Sequence, residues 1–295
     1  MIHPDLRRAA RFLPRGGVGP LALPALRWMT ARMSTSSKGG VEVVAIGEQV
    51  IRLHRPADAS VPTAALLWIH GGGYLLGTPA QDDALCKLLC ERLGIVVGAV
   101  SYRLAPRHPF PAALDDCFAG LRWLAQQPYV DAERLAVGGA SAGGGLAAAV
   151  AQRARDEQLS LRLQLLVYPM LDDRTCLRTD IAERDFRLWN NKANRYGWRS
   201  YTGQEPGSAG LSAPAVPARC QDLAGLAPAW IGVGTCDLFH DEDVEYAERL
   251  RAAGVPCDLH VVEGAFHGFD AIAAKAPVVR EFNRAKVEAL AAALA

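Results

Sequence analysis

No apolar run in this 295-residue chain approaches the ~20 residues that a membrane-spanning helix needs. Net charge is nearly absent as well: at +1 there is no global field to draw nucleic acid or an anionic bilayer, so neither partner is expected. Paired cysteine motifs are missing. The seven Cys, at 86, 90, 117, 176, 220, 236 and 257, are odd in number, and no two stand as C-x-x-C. Cys86 and Cys90 lie one helical turn apart without a nearby His or Cys to complete a ligand set, so they read as core filler; no metal site is expected, and the thiols read as reduced. A secretory leader is poorly supported. The apolar stretch Val18–Leu26 is broken by Pro20 and Pro24, is followed by Arg27 and Arg32, and lacks a small-residue cleavage site, so a cytoplasmic location is expected. Arg7, Arg8, Arg11 and Arg15 read as a solvated helix face. Internal repeats and long low-complexity tracts are lacking too.

What is present is a rhythm of strands and helices. Residues 1–40 are irregular, with short helices expected at 4–12 and 24–32 and a linker at 34–40. Two hairpin strands follow at 41–46 and 49–54. Apolar strands at 64–70, 95–102, 134–138 and 161–168 then alternate with helices at 80–93, 111–125 and 142–155. Residues 172–218, rich in charge, Trp, Tyr and Asn and then in Pro, Gly and Ser, interrupt the pattern. It resumes with a strand at 229–234, a helix at 241–253, a strand at 257–262 and a helix at 277–294. Continuous apolar strands between helices imply an α/β fold with a mostly parallel sheet covered on both faces and an antiparallel edge from the hairpin. The interruption reads as an insertion over the carboxyl ends of the strands, where open α/β sheets carry their sites.

Three signals carry chemistry. Gly139-Ala140-Ser141-Ala142-Gly143 is a G-x-S-x-G at a strand-to-helix junction. There the serine must sit on a sharp turn, and the residues two before and two after must be small. His70-Gly71-Gly72-Gly73 follows a strand, and successive glycines leave backbone N–H groups free to face an oxyanion. A phosphate loop is the rival reading, but neither G-x-x-x-x-G-K-[ST] nor G-x-G-x-x-G appears there. A serine hydroxyl needs a base held in one tautomer by a carboxylate, and the chain order in this arrangement is Ser, acid, His. Of the histidines after Ser141, His260 falls within a strand and His240 just before a helix, whereas His267 lies in the loop 264–268 beyond the last strand. Asp237, after the strand at 229–234, is the preferred acid. Asp172 is its competitor, and Asp241, Glu242 and Asp243 read as the acidic first turn of a helix.

Taken together, these motifs resemble the hormone-sensitive-lipase-like family of carboxylesterases, the bacterial family IV esterases, within the α/β-hydrolase fold. His70–Gly73 is similar to that family's HGGG box, and Ser141 lies in a variant of its G-D-S-A-G-G box. Tyr102–Pro106 with His108–Ala113 resembles its segment after the following strand. Asp237, Leu238, Asp241 and Glu242 resemble its acid motif, and His267-Gly268-Phe269 its histidine motif. Ala140 and Arg107 stand where the family usually has acidic residues. The resemblance implies an eight-stranded sheet and a cap built from residues 1–40 and the insertion 172–218 on a catalytic domain at 41–295. It implies a catalytic Ser141, Asp237 and His267, an oxyanion hole of Gly72, Gly73 and Ala142, and no cofactor. The expected reaction is hydrolysis of a small-molecule ester of short to medium acyl length. Amide or formamide hydrolysis by the same residues, and a ligand-binding protein on this scaffold, are the alternatives. Trp28, Tyr74, Trp189, Trp198 and Tyr201 are candidate pocket liners, and a homodimer is compatible with the family.

Overall fold

The computed structural model of the chain describes residues 1–34, 41–57 and 61–295, so the linker expected at 34–40 falls outside the described residues from 35 on. A 3-10 turn (Pro4–Leu6) leads into helices α1 (Arg7–Ala10) and α2 (Leu23–Ser34). Strands β1 (Glu42–Ile46) and β2 (Gln49–His54) form the hairpin, turning at Gly47, whose φ of +64° is left-handed. Then come β3 (Thr63–Ile69), α3 (Asp83–Leu93), β4 (Val96–Val100), α4 (Ala112–Ala125), β5 (Val130–Ala140), α5 (Ala142–Asp156) and β6 (Leu163–Val167). Before β7 (Ala229–Cys236) lies one long helix, α6 (Asn191–Thr202), among short 3-10 turns. The chain continues through α7 (His240–Ala252), β8 (Cys257–Phe266), α8 (Phe269–Ile272) and α9 (Pro277–Leu294).

The eight strands form one sheet in the order β1-β2-β4-β3-β5-β6-β7-β8, antiparallel only where β1 and β2 join it. Strands β4 and β6 are buried along their whole length, as expected for strands covered on both sides. Alternate residues of β3 point to opposite layers. Leu67 and Ile69 pack with α4, α5 and α7; Leu66 and Trp68 pack with α3, α9 and the first ten residues. Chain order reverses direction at β3, which has β4 on one side and β5 on the other, so β3 and β5 flank the switch point of the sheet. Ile69 pairs with Gly139, and the loops after both strands therefore leave the sheet at the same level.

Several element ends differ from expectation. β5 begins at Val130 rather than 134, because its early residues, which include charged ones, pair with β3 across an irregularity. β8 runs on to Phe266 across a second shift opposite Gly234 and Cys236, so Gly264 belongs to the strand and not to a loop. The helix expected at 4–12 is a 3-10 turn followed by the one-turn α1.

The N-terminal residues are not uniformly peripheral. Ile2, Leu6 and Ala10 are buried in the core layer of α9, and the His3 amide donates to the Gly264 carbonyl at 2.9 Å. Farther along, Arg187 Nε donates to the Ala10 carbonyl at 2.8 Å and the Leu188 amide to that of Pro14 at 2.9 Å, so the N-terminal segment and the insertion touch. The insertion is clipped at its neck. Asp173, fully buried, pairs with Arg219 at 2.8 Å, and the same guanidinium donates to the carbonyls of Ser208 and Leu211. Helix α6 is set by Asn190, whose side chain accepts the Ala193 amide, and stops at Gly203 with φ +71°. No helix among the described residues is long and apolar enough to cross a membrane.

Candidate active site

Ser141 stands between β5 and α5 with φ +59° and ψ −123°, a strained conformation for a residue with a side chain. The strain is held from both sides: its amide donates to the Val167 carbonyl at 2.9 Å, and its carbonyl accepts the Gly145 and Met170 amides at 3.0 Å. Crowding around the turn explains the flanking glycines. A Cβ on Gly139 would lie 2.3 Å from the Gly143 carbonyl oxygen, and one on Gly143 would lie 2.1 Å from that of Ile69. Although Ser141 occupies the N-cap of α5, its hydroxyl makes no capping bond there and is directed elsewhere.

That direction is toward His267. Its Nε2 lies 2.9 Å from Ser141 Oγ, and its Nδ1 lies 2.8 Å from Asp237 Oδ2. Because the carboxylate only accepts, Nδ1 carries the proton and Nε2 faces the hydroxyl as an acceptor. Asp237 is fixed in turn, its Oδ1 accepting the Phe239 amide at 3.1 Å. All three side chains are buried, Ser141 and His267 leaving only a small exposed edge. The competing acid is engaged elsewhere: Asp172 caps the turn 173–177 and forms a two-pronged pair with Arg174, closest at 2.6 Å. His240 pairs with Asp241, and His260 stacks on Trp230.

The glycine loop after β3 presses on this turn. A Cβ on Gly71 would come 2.9 Å from the Ala140 carbonyl oxygen and 3.4 Å from Ser141 Cβ. Gly72 and Gly73 have φ of +134° and +62°, which only glycine adopts readily. A Cβ on Gly73 would strike the Trp189 ring at 2.2 Å. The amides of Gly72 and Gly73 have no acceptor among the described residues; that of Ala142 opens α5 and has no intrahelical partner. His70 orients the loop. Its Nδ1 donates to the Gly71 carbonyl at 2.8 Å, turning the Gly72 N–H of the same peptide to the opposite side. The ring stacks on Tyr102 at 4.3 Å, and burial pushes it down to about 4, so it stays neutral above that pH.

A model of the alpha/beta hydrolase fold family matches residues 66–271, the stretch that carries the serine turn, the glycine loop and His267. The chain belongs to that family. This hydrolase is 37% identical over 239 residues to esterase LipI of Mycobacterium tuberculosis, covering 80% of this chain and 74% of that one. It is also 37% identical over 232 residues to an ethyl acetate hydrolase of Pseudomonas putida, covering 74% and 70%. Among solved structures, a bacterial heroin esterase superposes with a TM-score of 0.89 at 34% identity, over 100% of this chain and 98% of its own. Fold class and family are thus as the motifs implied.

Some features of the hydrolase were not visible in its motifs. Tyr168 and Phe239 bracket the His267 ring edge-on, with centroids at 4.8 and 5.2 Å. Tyr168 directly follows β6, the only hint the sequence offers. The acidic first turn of α7 is not a uniform solvated face. Asp241 meets Arg178 at 2.6 Å, but Glu242 is buried, accepts the Leu171 and Asp172 amides, and burial pushes its carboxyl well up; Asp243 is buried beside it with the same effect. Of the aromatic liners, Trp189 alone stands over the glycine loop. Tyr74, Trp198 and Tyr201 pack on one another in the core, and Trp28 is 61% exposed.

Proposed function

We propose that this enzyme hydrolyses carboxylic esters of short to medium acyl length through an acyl-enzyme on Ser141. The observation that carries the reading is the continuous hydrogen-bond line Ser141–His267–Asp237, set against a loop and a helix start whose N–H groups have no acceptor among the described residues. Ser141 Oγ attacks the ester carbonyl as Nε2 of His267 takes its proton; Asp237 holds the ring and stabilises the imidazolium. The carbonyl oxygen becomes an oxyanion held by the N–H groups of Gly72, Gly73 and Ala142, the last aided by the positive end of α5. His267 then hands its proton to the departing alcohol, and water repeats the sequence on the acyl group. The names of the relatives support the ester class.

The N-terminal segment and residues 172–218 form a cap over this site. Supporting that assignment, Arg27 of α2 donates through Nε to the Leu75 carbonyl at 2.7 Å and through Nη2 to that of Ala105, while Trp189 of the insertion rests against Gly73. The test is labelling of Ser141 by a fluorophosphonate, with turnover measured on p-nitrophenyl esters of graded chain length and on a matched anilide. Ser141→Ala should abolish labelling and leave only the ~10³–10⁴-fold advantage over water that oxyanion stabilisation and binding provide. Labelling that persists in Ser141→Ala would place the nucleophile elsewhere, and faster turnover of the anilide would make the enzyme an amidase.

A further inference from the structure

Behind the serine turn, in the layer of α3 and α9, a cavity of about 300 Å³ is walled by Trp68, Asp82, Ala140, Tyr168, Asp270 and Lys286. Tyr168 both lines this space and touches His267. Its φ of +36° is a conformation that a bulky residue rarely takes, and its amide is tied to the Gly232 carbonyl at 2.7 Å. The ring meets the imidazole edge-on at 4.8 Å, while its hydroxyl donates to Asp270 Oδ1 at 2.6 Å. The other oxygen of Asp270 takes Lys286 Nζ at 3.0 Å, and the Lys286 side chain is only 1% exposed. Burial alone would push the Asp270 carboxyl up, but Lys286 and the Tyr168 hydroxyl hold it below the usual carboxylate range.

Two features make this arrangement more than packing. A buried Lys–Asp pair gives little net stability, because desolvating two charges roughly cancels their attraction. And the cavity lies against Tyr168, so packing leaves the ring room to move on that side; the Ala140 methyl, where an Asp would fill more space, contributes to the gap. Phe239, on the other flank of His267, is fully buried and needs no such tie. We infer that Tyr168 is a positioning residue for His267, anchored by the Asp270–Lys286 pair against swinging into the cavity. The inference rests on the reading of His267 as the base. Across the cavity, Asp82 accepts a hydrogen bond from Trp68 Nε1 at 2.9 Å, and burial pushes its carboxyl up to about 6, so the assay is run at pH 8, where its charge is constant.

Tyr168→Phe keeps the ring and removes the anchor. We expect kcat and the fluorophosphonate labelling rate to fall about tenfold, with KM unchanged within about twofold, because a small misplacement of a catalytic group acts on the chemical step. The second readout needs no substrate: the Nδ1 proton of His267, seen by NMR while the ring is held on Asp237, should broaden in Tyr168→Phe. Asp270→Leu with Lys286→Met, which strands no buried charge, should reproduce both effects. Asp270→Asn with Lys286→Met leaves an acceptor for the Tyr168 hydroxyl and should restore wild-type rates. Unchanged labelling and an unchanged Nδ1 signal in Tyr168→Phe would overturn the inference, as would equal losses in both double variants. If wild type hydrolyses no ester while the Nδ1 signal still broadens in Tyr168→Phe, the positioning role stands and the esterase reading falls.

Discussion

His70 offers a quantitative test, because its ring is buried, bonded to the Gly71 carbonyl and held down to about 4 by burial. An exposed histidine in the unfolded chain titrates near ~6.5. Between those values the unfolded chain takes up a proton that the folded protein refuses, so stability falls as pH falls through the window and is unaffected above it. The loss is about 1.4 kcal/mol per pH unit, or about 3 kcal/mol over the whole window. Wild-type protein alone will not display it. Asp82, pushed up to about 6, takes its proton in the folded state first, and so gains stability as pH falls over nearly the same range. The informative comparison is His70→Asn, which does not titrate and whose amide can still donate to Gly71. Urea unfolding followed by circular dichroism should show the variant weaker at pH 7 by about 1 kcal/mol, from the lost stacking on Tyr102. Relative to wild type it should then gain about 3 kcal/mol by pH 4. Asp82 is common to both proteins and drops out. Stability curves that stay parallel from pH 7 to pH 4 would refute the claim that burial keeps His70 neutral.

Asp237→Asn should lower kcat about 10⁴-fold by favouring the wrong His267 tautomer; Asp172→Asn, which can keep the cap on the turn 173–177 and weakens a pair with the exposed Arg174, should leave kcat near wild type, and steady-state kinetics on one ester will rank them. Gly73→Ala should suppress phosphonate labelling because its Cβ collides with Trp189, and adding Trp189→Ala should recover part of the rate, since only the positive-φ strain of about 1–2 kcal/mol remains. Arg219→Ala strands the buried Asp173 and should cost about 3–5 kcal/mol in denaturant unfolding. Arg27→Met should raise KM with little change in labelling rate if α2 is part of the cap, whereas an unchanged KM would make that helix a bystander.

Much of the fold and of the local shape of the candidate site could be read from the sequence because the constraints there are local. A serine turn in which a Cβ at 139 or 143 would come within 2.3 Å of a backbone oxygen admits only glycine there, so the requirement is written into residue type. Strands buried on both faces are apolar throughout, and β4 and β6 declare themselves in the same way. What was hidden depends on contacts between distant segments. Tyr168 reads as one more aromatic after a strand, and its partner Asp270 lies 102 residues on. Glu242 and Asp243 fit the pattern of an acidic helix start, and nothing in that pattern shows that both are buried, Glu242 against the amides of Leu171 and Asp172. The first ten residues carry too few apolar positions to announce that Leu6 enters the core.

The order of strands has a consequence for when the protein becomes chemically competent. Ser141 directly follows β5 in the middle of the sheet, but His267 follows the strand at the sheet's edge, 126 residues later. During synthesis the serine therefore emerges from the ribosome long before the imidazole to which its hydroxyl bonds. On the proposed mechanism, a nascent or truncated chain lacking β8 carries a serine hydroxyl with no base beside it. On that mechanism, reactivity toward a phosphonate probe reports completion of the sheet and not merely its nucleation, because the proposed base follows the edge strand.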